Sequence, residues 1–296
     1  MNRATPQLTR SATARGLLCG IGAALFWALG FVAARQGINA GMSPLAIALH
    51  RFIWPGLVLL PFVARRRFAD LGAFGWRRGI VLTLFGGLPQ AVLAYAGFLF
   101  VPLGHGGVIQ PSCAALGGLA LATVVLKEPL PYRRIAGALA IILGLGVIGA
   151  EAVRTMGAHG LIGDFMFATA GCSFATFGML LRLWRLDPMP AVAITGVLSL
   201  AGLPVLLFSL DNVLEAGFFE NLLQAVIQGI FVGPGAIYLF TRAVVLLGVS
   251  RAAVFPSLVP PFTLLIGFLA LGEVPSVSQL AGLVVVVVGF RLTQMM

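Results

Sequence analysis

The residues of this chain best suited to chemistry are aromatic and uncharged polar side chains set inside long apolar stretches. Trp27 and Phe31 are spaced i, i+4 and share one helical face; Phe174 and Phe177, spaced i, i+3, do the same. Gln90, Tyr95, Gln110 and Ser112 form a polar set in one part of the chain, and Tyr238, Thr241 and Ser257 form a corresponding set in another. Rings stack, amides and hydroxyls hydrogen-bond, and none of these groups is armed to break a bond. The chemistry expected of them is reversible recognition of a small amphipathic solute. Plain packing is the competing role for any single Phe among 22, and a Ser or Thr hydroxyl can bond its own backbone. Trp27 stands apart because it lies mid-stretch, away from the interfacial belt where membrane Trp collects.

The ionisable groups sharpen this. All nine acids fall in loops or near the ends of the apolar stretches, with Asp164 and Glu151 closest to the interior. His50 and Arg51 lie inside a stretch; His titrates near neutral pH, while Arg keeps its charge. Arg51 could snorkel outward, pair with Glu151 or a carbonyl, or meet a substrate carboxylate. His105, in Gly104-His105-Gly106-Gly107, reads as loop-like and solvated. Without a mid-span acid to exchange a cation for a proton, the expected cargo is neutral or zwitterionic. Movement is then expected by facilitated diffusion or exchange, with His50 as the sole mid-span candidate for proton coupling. No Ser-His-Asp set, metal-ligand cluster, P-loop or dinucleotide fingerprint is present. No enzyme activity, cofactor, metal or ATP drive is expected. Cys19, Cys113 and Cys172 read as small apolar filler.

Four prolines lie within the stretches that carry these side chains: Pro89, Pro111, Pro234 and Pro256, the last followed by Pro260-Pro261. Each removes a backbone donor and frees a carbonyl one turn earlier. At membrane depth such a carbonyl must find a side chain, water or substrate. These positions are hinge candidates, with a static kink as the alternative. Glu128 and Glu273, at stretch ends beside prolines, suit fixed inter-helix turns.

The elements that must hold these groups are membrane helices. The chain is 59% hydrophobic and 9% charged, with a mean hydropathy of +1.04. Stretches near the roughly 20 residues needed to cross about 30 Å of hydrocarbon recur along it. They predict spans at 16–35, 44–63, 78–100, 106–126, 132–150, 161–181, 190–208, 222–245, 251–271 and 277–293. The net charge of +10 is distributed as in oriented membrane proteins and not as a nucleic-acid surface. With a cytoplasmic N-terminus, nearly every basic residue, from Arg3 and Arg65-Arg66-Arg67 to Arg291, falls on the inside; Arg35, Arg154 and Arg51 are the exceptions. Both termini are then expected to be cytoplasmic in a multi-pass membrane protein. The first stretch, though preceded by positive charge, is span-length and is expected to be retained as an anchor.

Residues 86–144 reappear without a gap as 231–289: Pro89 on Pro234, Pro111-Ser112 on Pro256-Ser257, Glu128 on Glu273, Gly144 on Gly289. The flanks follow with small shifts, Gly56 on Gly202, Gly16 on Gly163, Arg35 on Arg182 and Trp27 opposite Phe174. The organisation is a tail (1–15), a first five-helix repeat (16–150) and a second (161–293). An odd number of spans per half makes the repeats inverted, an arrangement suited to alternating access.

Two five-helix halves, a first helix with Gly16 and Trp27, and fourth helices reading Pro111…Leu126-Lys127-Glu128 and Pro256…Leu271-Gly272-Glu273 resemble the drug/metabolite transporter superfamily. The chain is most similar to its ten-helix EamA-type exporters, and among these to bacterial aromatic amino acid exporters, by Val101–Pro111 and aromatic content. The resemblance implies a basket walled by the first, third and fourth helices of each half, with the fifth helices outside. The second half departs from it where Phe174 replaces Trp. The expected fold is all-α, ten transmembrane helices as two inverted repeats. The expected function is export of amphipathic solutes, foremost amino acids with aromatic or apolar side chains. A metabolite, nucleotide-sugar or lipid-precursor carrier, or a drug exporter, of the same superfamily is the alternative. The lipid bilayer and the solute are the expected partners, with a monomer as the working state.

Overall fold

The computed structural model describes residues 10–65, 75–206 and 210–294. Arg3, Arg66 and Arg67 lie outside the described residues. Seven helical stretches are long and apolar enough to cross a membrane, and two shorter apolar helices, Pro188–Gly202 and Phe255–Leu271, accompany them. The longest, Tyr132–Trp184, is broken by the non-helical backbone of Gly157 (φ 62°, ψ −145°), which turns the chain between two spans. Ten spans result among the described residues. They are α1 (Arg10–Asn39), α2 (Pro44–Arg65), α3 (76–99), α4 (Leu103–Val125), α5 (132–156), α6 (158–184), α7 (188–206), α8 (Gly217–Leu247), α9 (Phe255–Leu271) and α10 (Val277–Gln294). α1 begins at Arg10, so the last residues of the expected tail are helical.

The repeats meet reciprocally. A Cβ on Gly137 of α5 would fall 2.6 Å from the Gly289 carbonyl of α10, and one on Gly144 would fall 2.7 Å from that of Gly282. Gly137 is the repeat equivalent of Gly282 and Gly144 of Gly289, so each half offers the other the same pair of contacts, as in a two-fold dimer. The contacts also run antiparallel, which is the inversion expected from parity. α2 and α7 cross the same way, with Gly56 placing a Cβ 2.7 Å from Gly196 O. Glycine at these points lets backbones approach where lipid supplies no hydrophobic drive for helix association. The α5/α10 pair forms one flank, with Leu139, Leu143, Val284 and Val288 exposed, and α2/α7 forms another. Helices α1, α3, α4, α6, α8 and α9 lie between them.

The match is not perfect. Gly30 of α1 packs on Val232 of α8, where a Cβ would lie 2.5 Å from the valine. The equivalent of Gly30 is Phe177, and it packs on Gly86, beside Gly87, the equivalent of Val232. The larger residue has changed sides between the two halves.

The prolines act differently from one another. α3 breaks at Gly87 (φ −102°, ψ −149°), and Pro89 sits in the first turn of the new segment, where its missing N–H costs nothing. At the equivalent depth α8 winds into a π-helix over Ile227–Gly235, which contains Pro234. Pro111 lies inside α4. Pro256 does not interrupt a helix, contrary to expectation: it lies in the 3₁₀ turn Phe255–Leu258 that opens α9, with Pro260 and Pro261 in the first α-helical turn. Pro55 and Pro61, inside α2, are additional kink sites.

Candidate functional site

Two Arg–Glu clasps close the ends of the inner helices. At the face away from the chain termini, Arg35 Nε of α1 donates to Glu273 Oε1 at 2.6 Å, and its Nη1 donates to Phe98 O at 2.8 Å. Glu273 Oε2 accepts the Leu103 N–H at 2.9 Å, tying α9 to the start of α4. At the terminal face Arg182 of α6 donates to Glu128 Oε1 at 2.7 Å, with Arg134 Nη1 3.7 Å from Oε2. Arg182 is the equivalent of Arg35 and Glu128 of Glu273, so each repeat lends its arginine to the other's glutamate. The same backbone device aims both acids. Lys127 (φ 54°) and Gly272 (φ 68°) are left-handed and turn the chain immediately before Glu128 and Glu273. The Arg182 guanidinium holds the Glu128 carboxyl below the usual carboxylate range.

Between the faces, polar groups bridge the inner helices. Arg51 Nη1 donates to Tyr95 Oη at 3.1 Å, and Tyr95 donates to Gln228 Oε1 at 2.8 Å. Gln228 Nε2 donates to Gly30 O at 2.8 Å, and Gln224, one turn earlier, donates to Ala33 O at 2.6 Å. This links α2, α3, α8 and α1. Arg51 is bonded inward, neither snorkelling nor paired with Glu151. Gln224 and Gln228, fully buried, are the polar residues that reading the chain missed; two Gln four apart in an apolar stretch was the available signal.

The sequence-predicted residues divide. Gln90 donates to Ala170 O of α6 at 3.3 Å, and the Gln110 backbone packs on the next residue, Gly171. Gln90 Oε1, Gln110 Oε1 and Ser112 Oγ are buried acceptors without a partner among the described residues. Trp27 is half-buried with its ring 5.6 Å from that of Phe240, and Phe31 packs edge-on to Phe98 at 6.5 Å. Phe174 and Phe177 stack on each other at 5.9 Å within the apolar cluster of α2, α3, α6 and α7. Phe177 therefore fills core against Gly86. Ser257 is also a correction, since its hydroxyl bonds Val254 O at 2.6 Å and has no free donor for a ligand. Tyr238 is 53% exposed on the stripe that carries Arg242 and Val245, away from the first-half polar set; Thr241 is half-buried beside it.

Two cavities stand out among the described residues, and of the sequence-predicted residues only His50 and Pro234 line either. The larger, about 700 Å³, is an apolar groove between α2 and α8, lined by Trp54, Val58, Phe218, Leu222, Ile230 and Pro234, with His50 and Asn221 at its polar end. The smaller, about 230 Å³, lies at the non-terminal face and includes Glu151, Glu273, Ser276 and Gln279.

His50 and His105 sit in surroundings that the sequence did not show. Asn221 spends its amide hydrogens on Val213 O (2.6 Å) and Gly217 O (2.7 Å), so its Oδ1 faces His50 Nε2 at 3.0 Å. Trp54 Nε1 donates to His50 Nδ1 at 3.0 Å. Both ring nitrogens are satisfied by the neutral tautomer, and protonation at Nδ1 would oppose the Trp54 donor. His105, expected in a solvated loop, is instead helical and 0% exposed, with Nδ1 2.8 Å from Asp164 Oδ1. Glycines cause this burial: Cβ atoms at 104, 106 and 107 would collide with Gln279, Phe167 and Thr263, so α10, α6 and α9 all close on this turn of α4. Asp164 is 9% exposed. The expectation that no acid is buried among the spans is overturned.

Comparison with known proteins agrees with this architecture. A relative from Archaeoglobus fulgidus described as an uncharacterized transporter is 26% identical over 271 residues, covering 89% of this chain and 93% of its own. A protein of known crystal structure, 18% identical, superposes with a TM-score of 0.60 over 96% of this chain and 98% of its own, which shows a shared fold. The model of the EamA-like transporter family matches twice, over 14–150 and 161–295, once for each repeat. This chain, a multi-pass membrane transporter and not an enzyme, belongs to the EamA-like transporter family.

Proposed function

We propose that the protein moves small amphipathic solutes by alternating access, and that amino acids with aromatic or apolar side chains are its cargo. The observation that carries this is the reciprocal pair of clasps. Arg35–Glu273 and Arg182–Glu128 occupy equivalent places at opposite faces, so opening one while the other holds exchanges two near-mirror states of a single chain. Support for the cargo comes from the inner helices. Trp27 and Phe31 offer rings, and Gln90, Gln110 and Ser112 offer unspent acceptors near α6. The terminal face, with Arg77, Arg78, Arg134 and Arg182, is read as cytoplasmic in an inner membrane, and net movement as export. A phosphorylated cargo would call for several inward cations, and Arg51 is already bonded to Tyr95. A lipid-like precursor is the second reading, favoured by the 700 Å³ apolar groove with its polar end.

Counterflow in proteoliposomes with labelled amino acids and a labelled isoprenoid phosphate tests both readings. L-phenylalanine or L-tryptophan is expected to exchange, and Trp27→Ala to weaken apparent affinity several-fold, as losing a ring contact worth about 0.5–1.5 kcal/mol would. Exchange of the isoprenoid alone would transfer the assignment to the second reading. A periplasm-active reporter after Met296 is expected to be silent, and activity there would reverse the orientation.

A further inference from the structure

We propose that the His105–Asp164 pair is the proton-binding site that couples transport to a pH gradient, a proposal that rests on the alternating-access reading. The pair is built and sealed. His105 is 0% exposed, three glycines bring neighbouring helices onto its turn, and Nδ1 meets Asp164 Oδ1 at 2.8 Å. Yet each partner keeps one buried atom without a hydrogen bond, Nε2 of His105 and Oδ2 of Asp164. A purely structural pin would leave fewer of its atoms unsatisfied, because each such atom costs free energy. Those two atoms are where one proton can land. A neutral imidazole donating to a carboxylate carries one negative charge. Adding a proton at Nε2 gives an imidazolium–carboxylate pair, and adding it at Oδ2 gives a neutral acid beside a neutral imidazole. Either product has no net charge, and no other reactant is needed.

Burial then links the proton to conformation. Protein encloses Nε2 and Oδ2, so a proton reaches or leaves the pair only in an arrangement that admits water to those atoms, which ties proton exchange to the conformation. The pair lies beside the stronger clasp: Leu103, two residues before His105, donates to Glu273, which Arg35 holds. Other titratable or charged groups on the surrounding elements are Glu151, bonded to Ser276 and Gln279, Arg154 and His159 at exposed positions on the same face, and Cys113 further along α4. The device belongs to one half only. The repeat equivalents of Asp164 and His105 are Leu17 and Ser250, so duplication of the scaffold does not account for it.

Purified wild type, Asp164→Asn and His105→Gln in proteoliposomes give the test, with labelled L-phenylalanine as probe. Wild type is expected to show counterflow at equal pH and to accumulate the probe several-fold when the lumen is acidic. Both variants should retain counterflow within about threefold and lose gradient-driven accumulation. Accumulation that persists in both variants would overturn the proposal, as would robust wild-type counterflow with no response to the gradient. Difference infrared spectra of the proteins without probe, between acidic and alkaline pH, read the pair directly. A wild-type carboxyl or imidazole signal that disappears in both variants supports the site, and its presence unchanged in both refutes it. Absence of amino acid counterflow in wild type would remove the cargo reading while leaving the spectroscopic result to decide the proton site.

Discussion

The two clasps are the same contact built twice and weighted differently. Arg35 and Glu273 are 21% and 24% exposed, and their hydrogen bonds extend to Phe98 O and the Leu103 N–H. Arg182 and Glu128 are 58% and 33% exposed, with only the longer contact to Arg134 added. Charges held further from water, with added backbone partners, resist opening more than charges that solvent can replace. The difference teaches that this conformation is fastened at the non-terminal face and lightly closed at the terminal face. The repeat supplies two clasps, and burial makes one firmer than the other.

The largest effect is expected from Glu273→Gln. Removing a partly buried charge that accepts from both Arg35 and the Leu103 N–H costs about 1.5–3 kcal/mol, enough to change the ratio of two conformations by ten- to a hundredfold. Cysteines placed near Gln279 in a background without Cys19, Cys113 and Cys172 should label faster from the non-terminal side. Unchanged labelling would show that Arg35–Glu273 does not hold that face. A smaller effect is expected from Glu128→Gln, under about fivefold on labelling at the terminal face. Equal effects of the two substitutions would remove the asymmetry.

Acid separates the clasps from the proton site. Glu128 has a depressed pKa, so its bond to Arg182 is fully present above the ordinary carboxylate range and is lost only as pH falls below that range. Any change of transport between pH 7 and pH 5 should therefore persist in Glu128→Gln, and should persist in His50→Gln as well, since Trp54 and Asn221 already occupy both its nitrogens. Loss of the response in either variant would relocate the titrating group. The smallest effect is expected from Lys127→Gly, which copies Gly272. Relieving a left-handed lysine should raise thermal stability by about 1 kcal/mol without changing transport rate. A fall in stability would mean that the Lys127 side chain holds the turn by a contact worth more than the strain.

Much of the architecture was legible in the chain because it is written in periodic, local terms. Apolar length marked the spans, and the repeat of glycines, prolines and glutamates marked the halves. The clasps followed only in part, since Glu128 and Glu273 were read as turn residues and their arginines come from the opposite repeat. His105–Asp164 was not legible. Its two members are 59 positions apart, each near a helix end where a solvated side chain is the ordinary outcome. Only the clustered glycines around His105 hinted that other helices close on it. Phe177 misled for a related reason: its spacing to Phe174 marks a face, and nothing in the spacing says that Gly86 has left a space for it. The substitution of a π-helix for the break at Gly87 was hidden too, because Pro89 and Pro234 look alike in sequence.

The exchange of bulk between Gly30–Val232 and Phe177–Gly86 bears on descent. In a symmetric pair of identical half-length chains, any mutation appears in both places at once, so a glycine could not face a valine on one side while a phenylalanine faces a glycine on the other. Such a pattern can accumulate only after the two halves have come to be encoded separately. The same freedom allowed a histidine and an aspartate to settle where the other half has serine and leucine. Separately encoded copies thus gave selection two independent drafts of a single scaffold.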